Sequence, residues 1–251
     1  LRDGEADYAA GLAEYQDGKQ EADETIADYQ RHPMGSVLAV CGNTRVICAV
    51  SVEHAVPAWM KAQGVSGGWI TAEYQMLPSA TGTRGTREVA KGHVSGRSAE
   101  IQRLIGRSLR AVVDLEKIPG LTLHVDCDVI DADGGTRCAS ITGACAALER
   151  AAGKLVKDGV IAESPIKTRV AAVSVGIVGG VPMLDLCYEE DAAAAVDMNV
   201  VMTSDGRFVE LQGTGEEATF SESELSELLA LARTGLKALF EEQQRIAHAA
   251  R

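Results

Sequence analysis

Aromatic side chains are scarce in this chain: two tryptophans, five tyrosines and three phenylalanines among 251 residues. That excludes a nucleic-acid surface built on successive stacked aromatics. Cysteine is present but unpatterned. No CxxC pair occurs among Cys41, Cys48, Cys127, Cys138, Cys145 and Cys187, which argues against disulfides and against a metal site. All but Cys138 lie in or beside runs that read as strand or helix core. The thiols are therefore expected to be reduced and mostly buried, in a reducing compartment, the cytoplasm. Long apolar runs are missing as well. The longest, Ala171 to Leu184, is too short and too glycine-rich to span a bilayer, and no secretory signal is visible, so no membrane association is expected. Basic residues are outnumbered, and the formal net charge is −12. As a bulk figure that disfavours nucleic acid as a partner.

The charge is unevenly spread, however. Residues 1–28 hold nine acids against Arg2 and Lys19, a net of −7. Tyr8, Leu12, Tyr15, Ala22, Ile26 and Tyr29 fall at helical spacings, with Lys19 interrupting, so this segment reads as an acidic, amphipathic helical extension, either solvated or partner-binding. Between Arg84 and Arg110 the sign reverses. Arg84, Arg87, Lys91, Arg97, Arg103, Arg107 and Arg110 face only Glu88 and Glu100, a net of +5. Arg103, Arg107 and Arg110 share one helical face. Such a strip suits a polyanion or a subunit-pairing surface.

From Gly35 onward β and α signals alternate. Ser36–Cys41 and Arg45–Val52 read as strands of a hairpin turning at Gly42-Asn43-Thr44. A glycine-rich loop, Gln63–Gly68, leads to a strand over Gly68–Tyr74, and Pro78 to Gly92 reads as irregular. A helix is predicted from Ser98 to Asp114, a strand over Leu121–Cys127, a loop over Asp131–Cys138 and a helix from Ala139 to Lys157. Strands are predicted at Val170–Val178, Met183–Tyr188, Asp197–Thr203 and Phe208–Gln212. A last helix starts at Ser221, a cap residue with Glu224 three residues on. The pattern is an α/β (α+β) chain of two sheet-plus-helix halves. We divide it into the extension 1–28, an N-terminal core 29–156 and a C-terminal core 157–251.

Four constellations carry chemistry. Asp133-Gly134-Gly135-Thr136-Arg137 joins a strand to a helix start. Two glycines can turn backbone N–H groups toward one point, where a helix N-terminus, a hydroxyl and a guanidinium join them, making a cradle for phosphate or sulfate; a Gly-Gly pair alone is most often only a turn. Arg97 stands at another helix start, against the helix dipole, so it serves either an incoming anion or a surface ion pair. The basic run is the third. Asp185, Asp191 and Asp197, at intervals of six, are the fourth: carboxylates beside a phosphate site hold Mg²⁺ or donate protons, whereas elsewhere they are ordinary surface charge.

Together these stretches resemble the ribonuclease PH family. Val125–Ala144 is similar to its signature run, and Gly68–Pro78, Gly96–Ile105 and Val196–Thr203 follow the same family in the same order. The resemblance spans Tyr29 to the C-terminal helix. It implies a ribosomal-protein-S5-domain-2-like fold of two β-α halves and a homohexameric ring, a trimer of dimers. The implied activity is that of a phosphate-dependent 3′→5′ exoribonuclease, a nucleotidyltransferase trimming tRNA precursor 3′ ends with inorganic phosphate as co-substrate. By resemblance, Arg97, Gly135, Thr136 and Arg137 bind the phosphate, Asp191 and Asp197 hold Mg²⁺ or donate a proton, and Arg84 and Arg87 contact RNA. A catalytically silent ring subunit is disfavoured because all of these residues are present. Ser79 stands where many members carry a third RNA-contacting arginine, and Cys138 where threonine is common. The acidic segment occupies the place of the family's first strand.

Overall fold

The computed structural model describes residues 25–215 and 218–248. A five-stranded sheet has the order β1-β2-β3-β5-β4, with β1 Ile26–Ala27, β2 Gly35–Cys41, β3 Thr44–Glu53, β4 Trp69–Met76 and β5 Thr122–Asp131. Only β4 and β5 run parallel, and the helix α2, Gly96–Val112, lies between them in sequence, as a parallel pair requires. A second, four-stranded antiparallel sheet has the order β7-β6-β8-β9, from β6 Val170–Val178, β7 Val181–Leu184, β8 Ala194–Thr203 and β9 Phe208–Gly215. The other helices among the described residues are α1 Ala58–Gln63, α3 Thr136–Lys157, α4 Tyr188–Ala193 and α5 Glu222–His248.

The period-2 alternation of the strands decides the layers. In the first sheet Val46, Cys48, Val50, Ile70, Ala72, Tyr74, Leu123, Val125, Cys127 and Val129 point to one side and are buried with α2 and α3. In the second, Ala171, Val173, Val175, Ile177, Val196, Met198, Val200 and Met202 pack on Leu228, Leu231, Ala232 and Leu236 of α5. Its opposite face turns to α3: Thr142 Oγ1 accepts from Ala172 N at 3.1 Å, and Cys138 Sγ donates to Asn199 Oδ1 at 3.2 Å. Helix α3 is thus covered by both sheets, and fourteen of its twenty-two residues are buried, mostly alanine, glycine, cysteine and serine. Small side chains let the sheets close on it. At Gly143 a Cβ would stand 2.7 Å from Ala39 Cβ and 2.8 Å from Cys48 Sγ.

Several expectations shift. The hairpin over β2 and β3, the strand Val170–Val178 and the reciprocal cap of α5 are present; Ser221 N and Oγ donate to Glu224 Oε2 at 2.6 and 2.7 Å. The strand expected over Met183–Tyr188 instead ends at Leu184. Gly179 and Gly180, both left-handed, turn the chain early, and Tyr188 opens α4 behind a cap in which Glu190 accepts from Cys187 N at 2.9 Å. The helical reading of 1–28 lies outside the described residues up to 24, and beyond that it is wrong. Ile26 and Ala27 form an edge strand opposite Leu38 and Val37, held because Asp28 donates its N–H to Ser36 O at 2.8 Å and its carboxylate pairs with Arg150. Helix α1 was not anticipated.

The packing gives a prediction with opposite signs at two glycines of one helix. Gly143→Val should cost roughly 2–3 kcal/mol by overpacking against β2 and β3. Nothing lies within 4 Å of where a Cβ of Gly153 would stand, so Gly153→Ala should gain about 0.5–1 kcal/mol through helix propensity. Urea midpoints of the two variants check both; a neutral Gly143→Val would show that the contact yields more than these distances imply.

Candidate active site

The loop from β5 to α3 is shaped by contacts on both sides. Gly134 is left-handed, and a Cβ there would lie 2.3 Å from Leu186 O, so only glycine fits. Thr44 Oγ1 donates to Gly134 O and accepts from Asp133 N, each at 2.8 Å. Asp133 in turn accepts from Asn43 Nδ2 at 2.9 Å and from Tyr188 N at 3.1 Å, tying the loop to the start of α4. The cap residue of α3 is Gly135, and no side chain caps the helix. The first turn therefore presents its N-terminal amides, the positive end of a helix of twenty-two residues, as a cradle for an anion.

Two guanidiniums act electrostatically on this point. Tyr74, buried on β4, shares a 2.8 Å hydrogen bond between its hydroxyl and Thr136 Oγ1. Burial pushes its phenol above the usual range, while the bond to Thr136 and the charges of Arg97 and Arg137 oppose that rise. The same phenol thus senses Arg97 from α2 and Arg137 from α3. Arg137 is oriented by Gln212 Oε1, which accepts from Nη1 at 2.9 Å, and by Glu100 at 3.8 Å; Gln212 Nε2 donates to Glu100 at 2.8 Å. Arg97 is exposed, and its unfavourable place in the first turn of α2 is offset by Glu88, which accepts from Ser95 N at 3.0 Å and Ser98 Oγ at 2.6 Å.

The three aspartates sit on β8, on α4 and in the segment between β7 and α4. Asp197 lies on β8 opposite Gly176, and Asn199 lies opposite Ser174. Asp185 N donates to Ser174 O at 2.8 Å across the same strand. Asp191 is on the exposed helix α4. Burial pushes the Cys138 thiol well up, with Asp185, Asp197 and Asp191 acting in the same direction and Arg137 against them. All three carboxylates thus act on one buried side chain in the first turn of α3, and Asn199 takes a hydrogen bond from it.

Arg84 and Arg87 are exposed in the loop after β4, and the charge of Arg87 is felt at Asp128 on the outward face of the first sheet. The expected basic strip on α2 is partly spent on protein partners. Arg107 pairs with Glu210 at 2.8 Å, and Arg110 donates to Ile70 O at 2.8 Å and stacks on Trp69 at 4.7 Å. Tyr74, Glu100, Asn199 and Gln212 were not singled out from the sequence. Strand alternation could have pointed to Tyr74 as the only polar-tipped residue on the inner face of β4; nothing local marks the others.

A glycine-shaped, uncapped helix start on a chain of two β-α halves is a geometry that suits an enzyme handling anions. Family models for the 3′ exoribonuclease family match the chain directly, domain 1 over residues 20–152 and domain 2 over residues 168–235. The chain is 60% identical over 221 residues to ribonuclease PH of Bacillus velezensis, covering 87% of this chain and 89% of that one. It is 55% identical over 219 residues to ribonuclease PH of Neisseria meningitidis, covering 87% and 90%. In fold it is similar to rice Rrp46, with a TM-score of 0.71, 17% identity and coverage of 90% and 94%. A chain of the Archaeoglobus fulgidus exosome solved with RNA bound to its active site gives a TM-score of 0.73 at 24% identity, covering 88% and 89%. The chain belongs to the ribonuclease PH family. Its activity is phosphorolytic 3′→5′ exoribonucleolysis in tRNA processing, a nucleotidyl transfer with phosphate as co-substrate.

Tyr74→Phe tests the link between β4 and α3. Loss of the buried bond to Thr136 should lower stability by about 1 kcal/mol, read as a lower urea midpoint with an unchanged slope. It should also raise the phosphate concentration for half-maximal turnover several-fold, because the Thr136 hydroxyl is no longer held. Unchanged values on both counts would remove Tyr74 from the site.

Proposed function

We propose that Arg97, Gly135, Thr136 and Arg137 hold the attacking phosphate and that Asp191 and Asp197 serve the bond that breaks. The observation that supports this reading is the uncapped start of α3, where Thr136 shares a hydrogen bond with the buried Tyr74, Arg137 stands in the first turn, and the charges of Arg97 and Arg137 are both felt at that phenol. A phosphate oxygen attacks the 3′-terminal phosphorus of the RNA, and the bond from phosphorus to the preceding O3′ breaks. A nucleoside 5′-diphosphate leaves, and the freed O3′ takes a proton. Phosphoryl transfer asks mainly for positioning and charge neutralisation, which two guanidiniums and a helix N-terminus supply.

Asp191 and Asp197 would hold Mg²⁺, which binds through one or two carboxylates plus substrate phosphate and keeps several waters; among the described residues no group of three or more His, Cys, Asp or Glu side chains could hold a metal by itself. When bound there the ion would neutralise charge on the transferred group. Arg84 and Arg87, in an exposed loop, are assigned to RNA upstream of the reacting end. The substrate is a tRNA precursor 3′ end, and the working assembly is a homohexameric ring, a trimer of dimers. We assign it to the cytoplasm on its thiols: Cys48, Cys127, Cys138 and Cys145 are buried, and no disulfide joins the six cysteines. No helix among the described residues is long and apolar enough to cross a membrane.

The direct experiment measures nucleoside diphosphate release from a tRNA bearing extra 3′ nucleotides, with and without phosphate. Arg97→Ala should lose about 3 kcal/mol of transition-state stabilisation, on the order of 100-fold in rate at limiting phosphate, with the fold retained. Asp191→Asn and Asp197→Asn should each lose Mg²⁺-dependent turnover. Near-wild-type rates in these variants would end the assignment of the residue concerned.

A double variant, Arg84→Ala with Arg87→Ala, should weaken tRNA binding and flatten its dependence on salt, since fewer counterions are released. Turnover of a very short RNA should change less. Equal loss on long and short substrates, with smaller particles in sedimentation, would point to ring disruption instead.

A further inference from the structure

Asp185 is the aspartate that the reaction scheme leaves without a role, yet it is the one built most closely into the loop. Its backbone is left-handed, with φ 61°, one of two non-glycine residues in that region among the described residues. That conformation costs an L-residue roughly 1–2 kcal/mol and persists only where the surroundings enforce it. Here they do. Asp185 N donates to Ser174 O at 2.8 Å, Leu186 N donates to Ser174 Oγ at 3.1 Å, and Gly134 packs on the carbonyl of Leu186. The carboxylate is aimed as well. Oδ2 accepts from Cys41 Sγ at 3.2 Å, and Oδ1 lies 3.8 Å from where a Cβ of Gly135 would stand. A negative group is thus fixed against the cap residue of the proposed phosphate cradle.

A carboxylate beside an oxyanion repels it unless the anion brings a proton to share, because an ionised carboxylate only accepts hydrogen bonds. Near neutral pH hydrogen phosphate keeps one P–OH; sulfate has none. We propose that Asp185 is part of the phosphate site and accepts a hydrogen bond from the P–OH of hydrogen phosphate, so that the site takes phosphate and rejects oxyanions without a proton. No covalent bond to Asp185 forms. The attacking oxygen is one of the unprotonated three, and the P–OH passes intact into the terminal phosphate of the released diphosphate. Arg97, Arg137 and the helix amides supply attraction common to all such anions; Asp185 supplies the discrimination. Sites built on a specific hydrogen bond reject the analogue lacking it strongly, since a polar group is then left facing the wrong partner.

The inference rests on Gly135–Arg137 being the phosphate site. Asp185→Asn is the informative variant, because it keeps the shape, asparagine enters the left-handed region readily, and its amide donates where the carboxylate accepted. Phosphate KM and the sulfate inhibition constant are measured for both proteins. The expected result is a rise of at least tenfold in phosphate KM with a fall of at least tenfold in the sulfate constant. Equal changes for both anions, or none, would mark Asp185 as structural and overturn the proposal alone. On the wild-type protein, fluorophosphate, a dianion without P–OH at neutral pH, should protect against heat far less than phosphate does. Protection equal to that by phosphate overturns the proposal even if the variant fails to fold. If phosphate itself neither protects the wild-type protein nor supports diphosphate release, the reading of the loop fails and this proposal with it.

Discussion

Helix α3 has to serve two sheets at once, and that demand governs the rest of the molecule. A helix covered on two sides by strands cannot carry bulk where they approach. Its sequence meets this demand with Ala139, Gly143, Ala144, Ala146, Ala147 and Ala151, and supplies anchoring volume through Ile141, Leu148 and Leu155, each at most 1% exposed. Full burial of such a side chain contributes about 1.5–3 kcal/mol, more than a typical exposed ion pair gives. The burial fixes the axis of α3, and the axis fixes where its first turn points. Gly135 leaves that end uncapped, so the amides of the first turn stay available to an anion.

The charge problem of an acidic protein that handles a polyanion is solved locally. Bulk charge acts through solvent and is screened within about 8 Å at physiological salt. The groups at the first turn of α3 act at contact distance and partly out of water, where charge–charge interactions are stronger. Acids also work on the positive side: Glu88 stabilises the start of α2 so that Arg97 can stand there, and Glu100 with Gln212 orients Arg137. A net charge of −12 therefore says little about what one cleft will accept.

Much of this was readable from sequence because it is local. The Gly-Asn turn between β2 and β3, the alternation of Val170–Val178 and the Ser221/Glu224 cap are each decided by residues a few positions apart. The shape of the site loop was legible too: two adjacent glycines before Thr136-Arg137 read as a turn into a helix start, and both are left-handed there. What escaped depends on distant residues. Tyr74 meets Thr136 across sixty-two positions and Gln212 meets Arg137 across seventy-five, and no local pattern encodes either pairing. Asp185 looked like the spare acid of an evenly spaced set; its left-handed turn and its contact with Cys41 arise only once β7 folds beside β6. The acidic N-terminal stretch misled for the opposite reason. Its helical spacing ran on through Ile26, where pairing with β2 and the Asp28–Arg150 ion pair outweigh a weak local preference.

Contacts between the halves near the site are of two kinds, and their magnitudes assign them different tasks. Arg107–Glu210 joins α2 to β9, but the arginine side chain is 57% exposed, and pairs of that kind contribute about 0–1 kcal/mol. Such a pair cannot hold one half against the other. The burial of α3 does that, with Thr142 and Gln243 satisfying backbone groups at the seam: Gln243 Nε2 donates to Thr142 O and Val170 O, each at 2.9 Å. Relieved of holding the halves together, the polar network of Glu100, Gln212 and Arg137 sets direction. It fixes the direction of one guanidinium on the helix that both sheets hold still, while Arg97 stands exposed at the start of α2. The two arginines are thus tied to the buried core by different routes, one as part of α3 itself and the other through the packing of α2 on the first sheet.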